Sequence, residues 1–347
     1  MKKYLIELYK FYKFTTYFFE KYKPIGINKL IFCYTKGFFP SNYVLFRLDV
    51  NDYQLYISDF KENFKVSRIN KKASILNNKI FFGQLITSII KSPEVLCFIY
   101  QGKVLPFGNS NFISFDNLIE YLIKENSFIL KPIDDDGGVG VVKVEYYNSN
   151  FYWNSSEFSL EQLRSNILKL DNYFVSETLK QNEYSDKLYS HSVNTVRLLT
   201  MINPSTNIPF IAACAHRIGN DISKPVDNCA KGGYTASIDV DFGIIGKAVN
   251  TKFKGTQPKY FSTHPDSGSP IEGVTVPYFE ELKKQALELH ERLSFIEYIG
   301  WDFALSKDNK WVVIEGNDSA DLKLHQVHEP LLKNPEVLEF YRYHRVI

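Results

Sequence analysis

The sequence has little of several things, and each scarcity excludes a class. Four cysteines (Cys33, Cys97, Cys214 and Cys229) in 347 residues form no CxxC pair and no dense framework, which leaves reduced thiols in a cytoplasmic protein as the expectation. Net charge is only +2, from 41 Lys and Arg against 39 Asp and Glu, so an electrostatic nucleic-acid binder is not expected. Long apolar runs are missing as well. The longest uncharged stretch of the N-terminus, Phe14 to Phe19, is too short for a signal core or a membrane span. Internal repeats and low-complexity linkers are absent, and the length suits about two domains. Arginine is scarce too, at eight of the 41 cationic residues, which makes an Arg inside a motif noteworthy.

Aromatic residues are abundant: 28 Phe, 23 Tyr and 3 Trp. They crowd the N-terminus, interleaved with Lys2, Lys3, Lys10, Lys13, Lys21 and Lys23. Such a segment either packs an aromatic helix face on the protein body or lies on a membrane surface. Short strands are expected at Val44–Phe46 and Gln54–Ile57. A helix from about Asn78 to Ile90 would bury Ile80, Phe81, Leu85 and Ile89. Phe128–Pro132 and Val141–Tyr146 read as strands around a turn, Asp134-Asp135-Asp136-Gly137-Gly138-Val139-Gly140. That layout differs from Walker and Rossmann turns, which open a helix. Strands dominate from Tyr173. A helix begins at Pro277, with Leu282, Ala286, Leu289, Leu293 and Ile296 on one face. The fold class is α+β.

The most informative constellation is a hairpin. A two-residue turn at Asp308-Asn309 would oppose Asp302 to Glu315 and Leu305 to Val312, and put Asn317 on the same face as Glu315. Two carboxylates and an amide oxygen are hard donors suited to Mg²⁺; the alternative is an exposed acidic hairpin. Removing either carboxylate would then relieve repulsion. Lys131, in an apolar strand before the glycine turn, could meet a phosphate, or the turn could be a plain one. Arg197 and Arg217 interrupt apolar strands, as strand salt bridges or as forks for phosphate or carboxylate. Asp227-Asn228 with Gly232-Gly233 marks an irregular loop able to close over a site. His191 and His216 are expected to be structural.

In order and spacing, these pieces resemble the ATP-grasp superfamily, most closely its sugar-transfer-associated branch, over roughly residues 75–330. The matching stretches are Leu76-Asn77-Asn78-Lys79, Leu130-Lys131-Pro132 with the glycine turn, and Val175-Ser176-Glu177-Thr178-Leu179. They continue with Asn194-Thr195-Val196-Arg197, Val226-Asp227-Asn228, His264-Pro265-Asp266-Ser267-Gly268, Ile299-Gly300-Trp301-Asp302 and Ile314-Glu315-Gly316-Asn317. The resemblance implies two α+β lobes clamping ATP, at 76–172 and 173–347; the stretch before them, 1–75, lies outside it and is read as an α/β region with an amphipathic aromatic–basic helix. Lys79 and Lys131 would hold the nucleotide phosphates under a loop carrying Gly137, Gly138 and Gly140. Glu177 and Leu179 would form the adenine hinge, and Glu183 would bind ribose. Arg197, Arg217 and Asn228 would serve catalysis, and Asp302, Glu315 and Asn317 would bind Mg²⁺. Asp135, Asp136 and Val139 depart from the pattern, and the three adjacent acids Asp134, Asp135 and Asp136 beside a triphosphate would have to point away or meet a cationic substrate.

The activity implied is amide formation from a carboxylate and an amine at the expense of ATP, through an acyl phosphate. The implied substrates are sugar-linked small molecules of surface-polysaccharide synthesis, with no nucleic acid. An ATP-dependent kinase, or a non-catalytic nucleotide-binding partner of a glycan assembly, is the alternative. The N-terminus would suit peripheral association with the inner face of a membrane or with a glycosyltransferase.

Overall fold

The computed structural model describes residues 2–21, 23–70, 74–108, 110–133, 139–253 and 257–347, without the side chains of 2–7, 74 and 77. The N-terminal layer is helical: α1 (Lys2–Glu20), α2 (Ile27–Lys36), α3 (Pro40–Leu45) and α4 (Asp59–Phe64). The strands expected at Val44–Phe46 and Gln54–Ile57 are not formed. Pro40 sits in the first turn of α3, and Asp52 caps a 3-10 turn at Tyr53–Leu55 by accepting from Gln54 N–H. In a chain this rich in Phe and Tyr, aromatic content does not discriminate strand from helix.

Two short helices follow, α5 (Ser74–Asn77) and α6 (Lys79–Ile86), the second capped by the Asn78 side chain. Its buried face is Phe82 and Ile86, continued by Ile90, while Phe81 is 64% exposed. The expected face is thus displaced by one position. The run Ile80-Phe81-Phe82 offers two apolar stripes, and Phe82 wins because it packs beside Trp301, ring centroids 6.2 Å apart.

The first sheet contains β1 (Val95–Tyr100), β2 (Lys103–Pro106), β3 (Ser127–Pro132), β4 (Val142–Tyr147), β5 (Asn150–Trp153), β6 (Ser156–Phe158) and β7 (Tyr173–Glu177). Its order is β2-β1-β7-β3-β4-β5-β6, with every pair antiparallel. Helices α7 (Phe115–Glu125) and α8 (Leu160–Leu168) give Leu118, Leu122, Leu163 and Ile167 to its core. Because β7 inserts between β1 and β3, a lobe boundary at 172/173 cuts off a central strand, and the first sheet ends only at Glu177.

After α9 (Glu183–Leu188), a second antiparallel sheet is built from β8 (Thr195–Ile202), β9 (Pro209–Ile218), β10 (Tyr234–Ile238), β11 (Ile245–Asn250), β12 (Tyr260–Phe261), β13 (Tyr298–Leu305) and β14 (Trp311–Asn317). Its order is β12-β11-β10-β9-β8-β13-β14. Helix α10 (Phe279–Arg292) covers one face with Leu282, Ala286 and Leu289, as its spacing predicts, joined there by Val196 and Leu198. On the other face, Leu199 and Met201 meet Val337, Phe340 and Tyr341 from around α12 (Pro335–Tyr343). Strands covered on both faces explain the near-continuous apolar runs.

The short helix α11 (Lys323–Gln326) and the loop before it are held by the N-terminal layer. Ile57 N–H donates to Gln326 Oε1 at 2.7 Å, and Gln326 Nε2 donates to the Ile57 carbonyl at 3.0 Å. Leu322 N–H donates to Glu62 Oε1 at 2.8 Å, and Asn70 Nδ2 donates to the Asp318 and Tyr298 carbonyls at 2.7 and 2.8 Å. Gln326→Leu strands both buried backbone groups of Ile57. It should cost about 1–3 kcal/mol for each group left unmet, read from urea unfolding; an unchanged midpoint would show that the clamp carries no stability.

Candidate functional site

The β13–β14 hairpin places the acids by a route the sequence did not suggest. Its turn is wider than two residues: Ser306 N–H donates to the Lys310 carbonyl at 2.9 Å, and Asn309 takes φ 60°. Leu305 therefore pairs with Trp311, not with Val312. A bulge then inserts Ile314 between the pairs Phe303–Val313 and Asp302–Glu315. The two departures cancel, so Asp302 still faces Glu315 and Gly300 faces Asn317.

Asp302 is buried at 1% exposure and lies between two arginines. Arg197, its partner on β8, donates from Nε to Oδ1 at 2.5 Å and from a terminal nitrogen to Oδ2 at 2.8 Å. Arg217 on β9 donates to Asp302 Oδ2 at 2.5 Å and pairs with Asp227 at 2.8 Å. Burial favours the neutral acid, but the two guanidiniums outweigh it and hold Asp302 well below the usual carboxylate range. Asp227 is fixed in turn by Thr195, whose N–H and hydroxyl donate to Oδ2 at 2.9 and 2.5 Å. The Nε–H of Arg217 is buried with no acceptor among the described residues.

Glu315 is half-buried. Burial, then the charge of Asp302 opposite, push its carboxyl up to about 7. Asn317 donates its amide nitrogen to the Gly300 carbonyl at 3.1 Å, which leaves its oxygen as the acceptor end. Among the described residues no three His, Cys, Asp or Glu side chains gather as a metal cluster. The donor set is two carboxylates and one amide, and its oxygen chemistry fits a divalent hard cation. A bound cation would offset both the burial of Glu315 and the charge of Asp302 opposite it.

The first sheet brings a lysine to this cluster. Lys131, at the end of β3, is lowered to about 8, chiefly by burial and further by Lys79, while Glu315 acts in the opposite sense. Lys79, Lys131 and Glu315 therefore converge from α6, β3 and β14. Of the glycine turn, Asp134, Asp135, Asp136, Gly137 and Gly138 lie outside the described residues. Gly140 ends it at φ +72°, where a Cβ would sit 2.5 Å from the Tyr173 hydroxyl, so only glycine closes this turn.

Two further candidates, Glu183 and Asn228, lie apart from the acid–arginine cluster, and the hinge stretch has its own contacts. Glu177 accepts from Glu94 N–H at 3.0 Å, beside Thr178, whose buried hydroxyl has no partner among the described residues; Leu179 follows, half-buried. Glu183 lies on the exposed face of α9, paired with Lys187 at 2.7 Å, which lowers its carboxyl. Nothing draws it toward Lys131 or Glu315. Asn228 caps the 3-10 turn Cys229–Lys231 by accepting from Ala230 N–H at 2.7 Å. Its neighbour Asp227 reaches Arg217. A signal for Asp227 existed: a Cβ on Gly233 would sit 2.6 Å from the Asp227 carbonyl, so the paired glycines allow the backbone to press close there. His216 is structural, between Tyr184 Oη at 3.2 Å and the Arg217 carbonyl at 3.0 Å, and burial lowers it to about 4.

Two antiparallel sheets thus meet at this cluster, with Lys131 contributed by the first and the acids and arginines by the second. The chain belongs to the sugar-transfer-associated ATP-grasp family, whose model matches residues 60–337. No curated protein matches it. Among solved structures it is similar to D-alanyl-alanine synthetase A from Vibrio cholerae, with 11% identity and a TM-score of 0.43 over 77% of this chain and 61% of that one. It is also similar to the VanG D-Ala:D-Ser ligase from Enterococcus faecalis, at 9% and 0.41 over 78% and 62%. A third is the ATP-grasp ligase PsnB with a phosphomimetic precursor variant, Mg and ADP, at 14% and 0.39 over 78% and 60%. The matched region spans less than two thirds of each of these proteins.

Proposed function

We propose that this chain is an ATP-dependent carboxylate–amine ligase that forms an amide through an acyl phosphate, acting on a sugar acid or a sugar-linked substrate. The observation that carries the reading is the buried Arg197–Asp302–Arg217 cluster, with Glu315 opposite and Lys131 converging on it. Family membership supports the nucleotide, and the sugar-transfer association of the family supports the substrate class.

Lys79 and Lys131 bind the phosphates as point charges, and the strand leading to Leu179 seats adenine. Asp302, Glu315 and the Asn317 oxygen would hold Mg²⁺, which when bound neutralises charge on the phosphates. The γ-phosphoryl group passes to a carboxylate oxygen of the substrate and ADP leaves. Arg197 and Arg217 hold the acyl phosphate, whose oxygens suit planar forks, and the unmet Arg217 Nε–H is a donor ready for such an anion. A deprotonated amine then attacks the acyl carbon; the C–O bond breaks and inorganic phosphate departs.

Screening ADP release over pairs of sugar acids, amino acids and amino sugars identifies the substrates. With ¹⁸O in the carboxylate, one label should appear in the released phosphate, and full rate should need both acid and amine. Label confined to an accumulating phosphorylated compound would make the chain a kinase. Absence of any ATP turnover over the whole screen would favour a non-catalytic nucleotide-binding module.

A further inference from the structure

The outward face of the N-terminal helix pair has no role in the nucleotide site. Helix α1 spends one aromatic face on the interior: Phe14 and Phe18 are buried, stacked or edge-on with Phe39, Phe60 and Tyr34. Its other face is also apolar, with Leu8, Phe11, Tyr12 and Phe19 at 55, 53, 70 and 67% exposure. The patch continues onto α2. Phe11 meets Tyr34 edge-on at 5.7 Å, and one turn from Tyr34 lie Ile31 and then Ile27, both exposed. A contiguous exposed apolar surface of this kind marks an interaction site.

Charge says what it faces. Eight lysines against two glutamates give residues 1–36 a net +6 in a chain of net +2, so the rest of the chain carries −4. At the α1–α2 junction Lys23, Lys29 and Arg47 line a cavity of about 400 Å³ in which Asp49 is the single acidic lining residue. Among the described residues no helix is long and apolar enough to cross a bilayer. Aromatic and aliphatic side chains flanked by lysines, on a helix lying flat, are what an anionic membrane surface binds.

We propose that the exposed face of α1 and α2, centred on Phe11, Tyr12, Phe19 and Ile31, docks this protein on a membrane surface bearing anionic phosphate headgroups, and so brings the nucleotide site to substrates carried there. The full chain is sedimented with vesicles of phosphatidylcholine alone, or with about one-third phosphatidylglycerol, where binding should rise about tenfold or more and fall in high salt. The double variant Tyr12→Glu, Phe19→Glu should lose that binding and keep the wild-type ATP affinity, since neither side chain belongs to the nucleotide site. Equal sedimentation of variant and wild type, or no preference for the anionic vesicles, overturns the proposal. A concentration-dependent dimer in sedimentation velocity that the double variant abolishes also overturns it, because a second copy of the chain then covers the face.

Discussion

Asp302→Asn should destabilise the fold by about 3–5 kcal/mol, whereas Glu315→Gln should leave stability unchanged or raised, although both should lose about 10²–10³-fold or more in turnover. Read from the sequence, the two acids were equivalent, each relieved by loss of the other. The structure separates them. Asp302 is the shared counter-ion of two buried guanidiniums, and Asn there leaves Arg217 with Asp227 and Arg197 with no ion-pair partner among the described residues. Glu315 has burial and the charge of Asp302 against its ionised form, so a neutral isostere removes a penalty. Thermal and urea unfolding alongside Mg²⁺-dependent ADP release measure both halves. Near-normal Mg²⁺-dependent turnover in Glu315→Gln would remove the metal assignment. A fully stable Asp302→Asn would mean the arginines do not depend on it.

Lys131→Ala should weaken ATP binding about 10–100-fold, the worth of a charge-assisted contact to phosphate, and change AMP binding little. The same lysine supplies a pH signature. Burial and Lys79 lower its ammonium to about 8, so it is charged below that pH and progressively neutral above it. ATP affinity should fall as pH rises through about 8, AMP affinity should stay flat over that range, and Lys131→Arg should flatten the ATP profile. Calorimetric titration of both nucleotides across pH 7–9.5 reads all three. Equal loss for ATP and AMP in Lys131→Ala would make the lysine a structural residue.

What could be read from the sequence was what local spacing controls. The helix face of α10, the strands around the glycine turn and the pairing of Asp302 with Glu315 all follow from period and register. Yet that last pairing came from a turn one residue too tight and a bulge not foreseen, which cancelled. Tertiary competition was illegible: Phe82, not Phe81, turns inward because Trp301 lies there. Strand order was illegible too, since nothing near Tyr173–Glu177 says that it inserts between β1 and β3. Asp227 went unassigned because its partner Arg217 is distant in sequence, with only Gly232-Gly233 hinting at the close approach. In the N-terminal layer, β-forming aromatics favour strands at Val44–Phe46 and Gln54–Ile57 by propensity alone, and helical packing overrides them.

The clamp on α11 sets an order of events during synthesis. The strands of each sheet find most of their partners within a short stretch of chain, so each can form soon after it emerges. The contact between Ile57 and Gln326 spans 269 positions, and Lys65 reaches across 281 to donate to the Val346 carbonyl at 3.0 Å. Closing such loops is slow and comes late. The loop after Asn317 is thus fixed only when the last part of this chain returns to the first helical layer. A nascent chain can carry two finished sheets, with the cluster around Asp302 already paired, while α11 is still undocked.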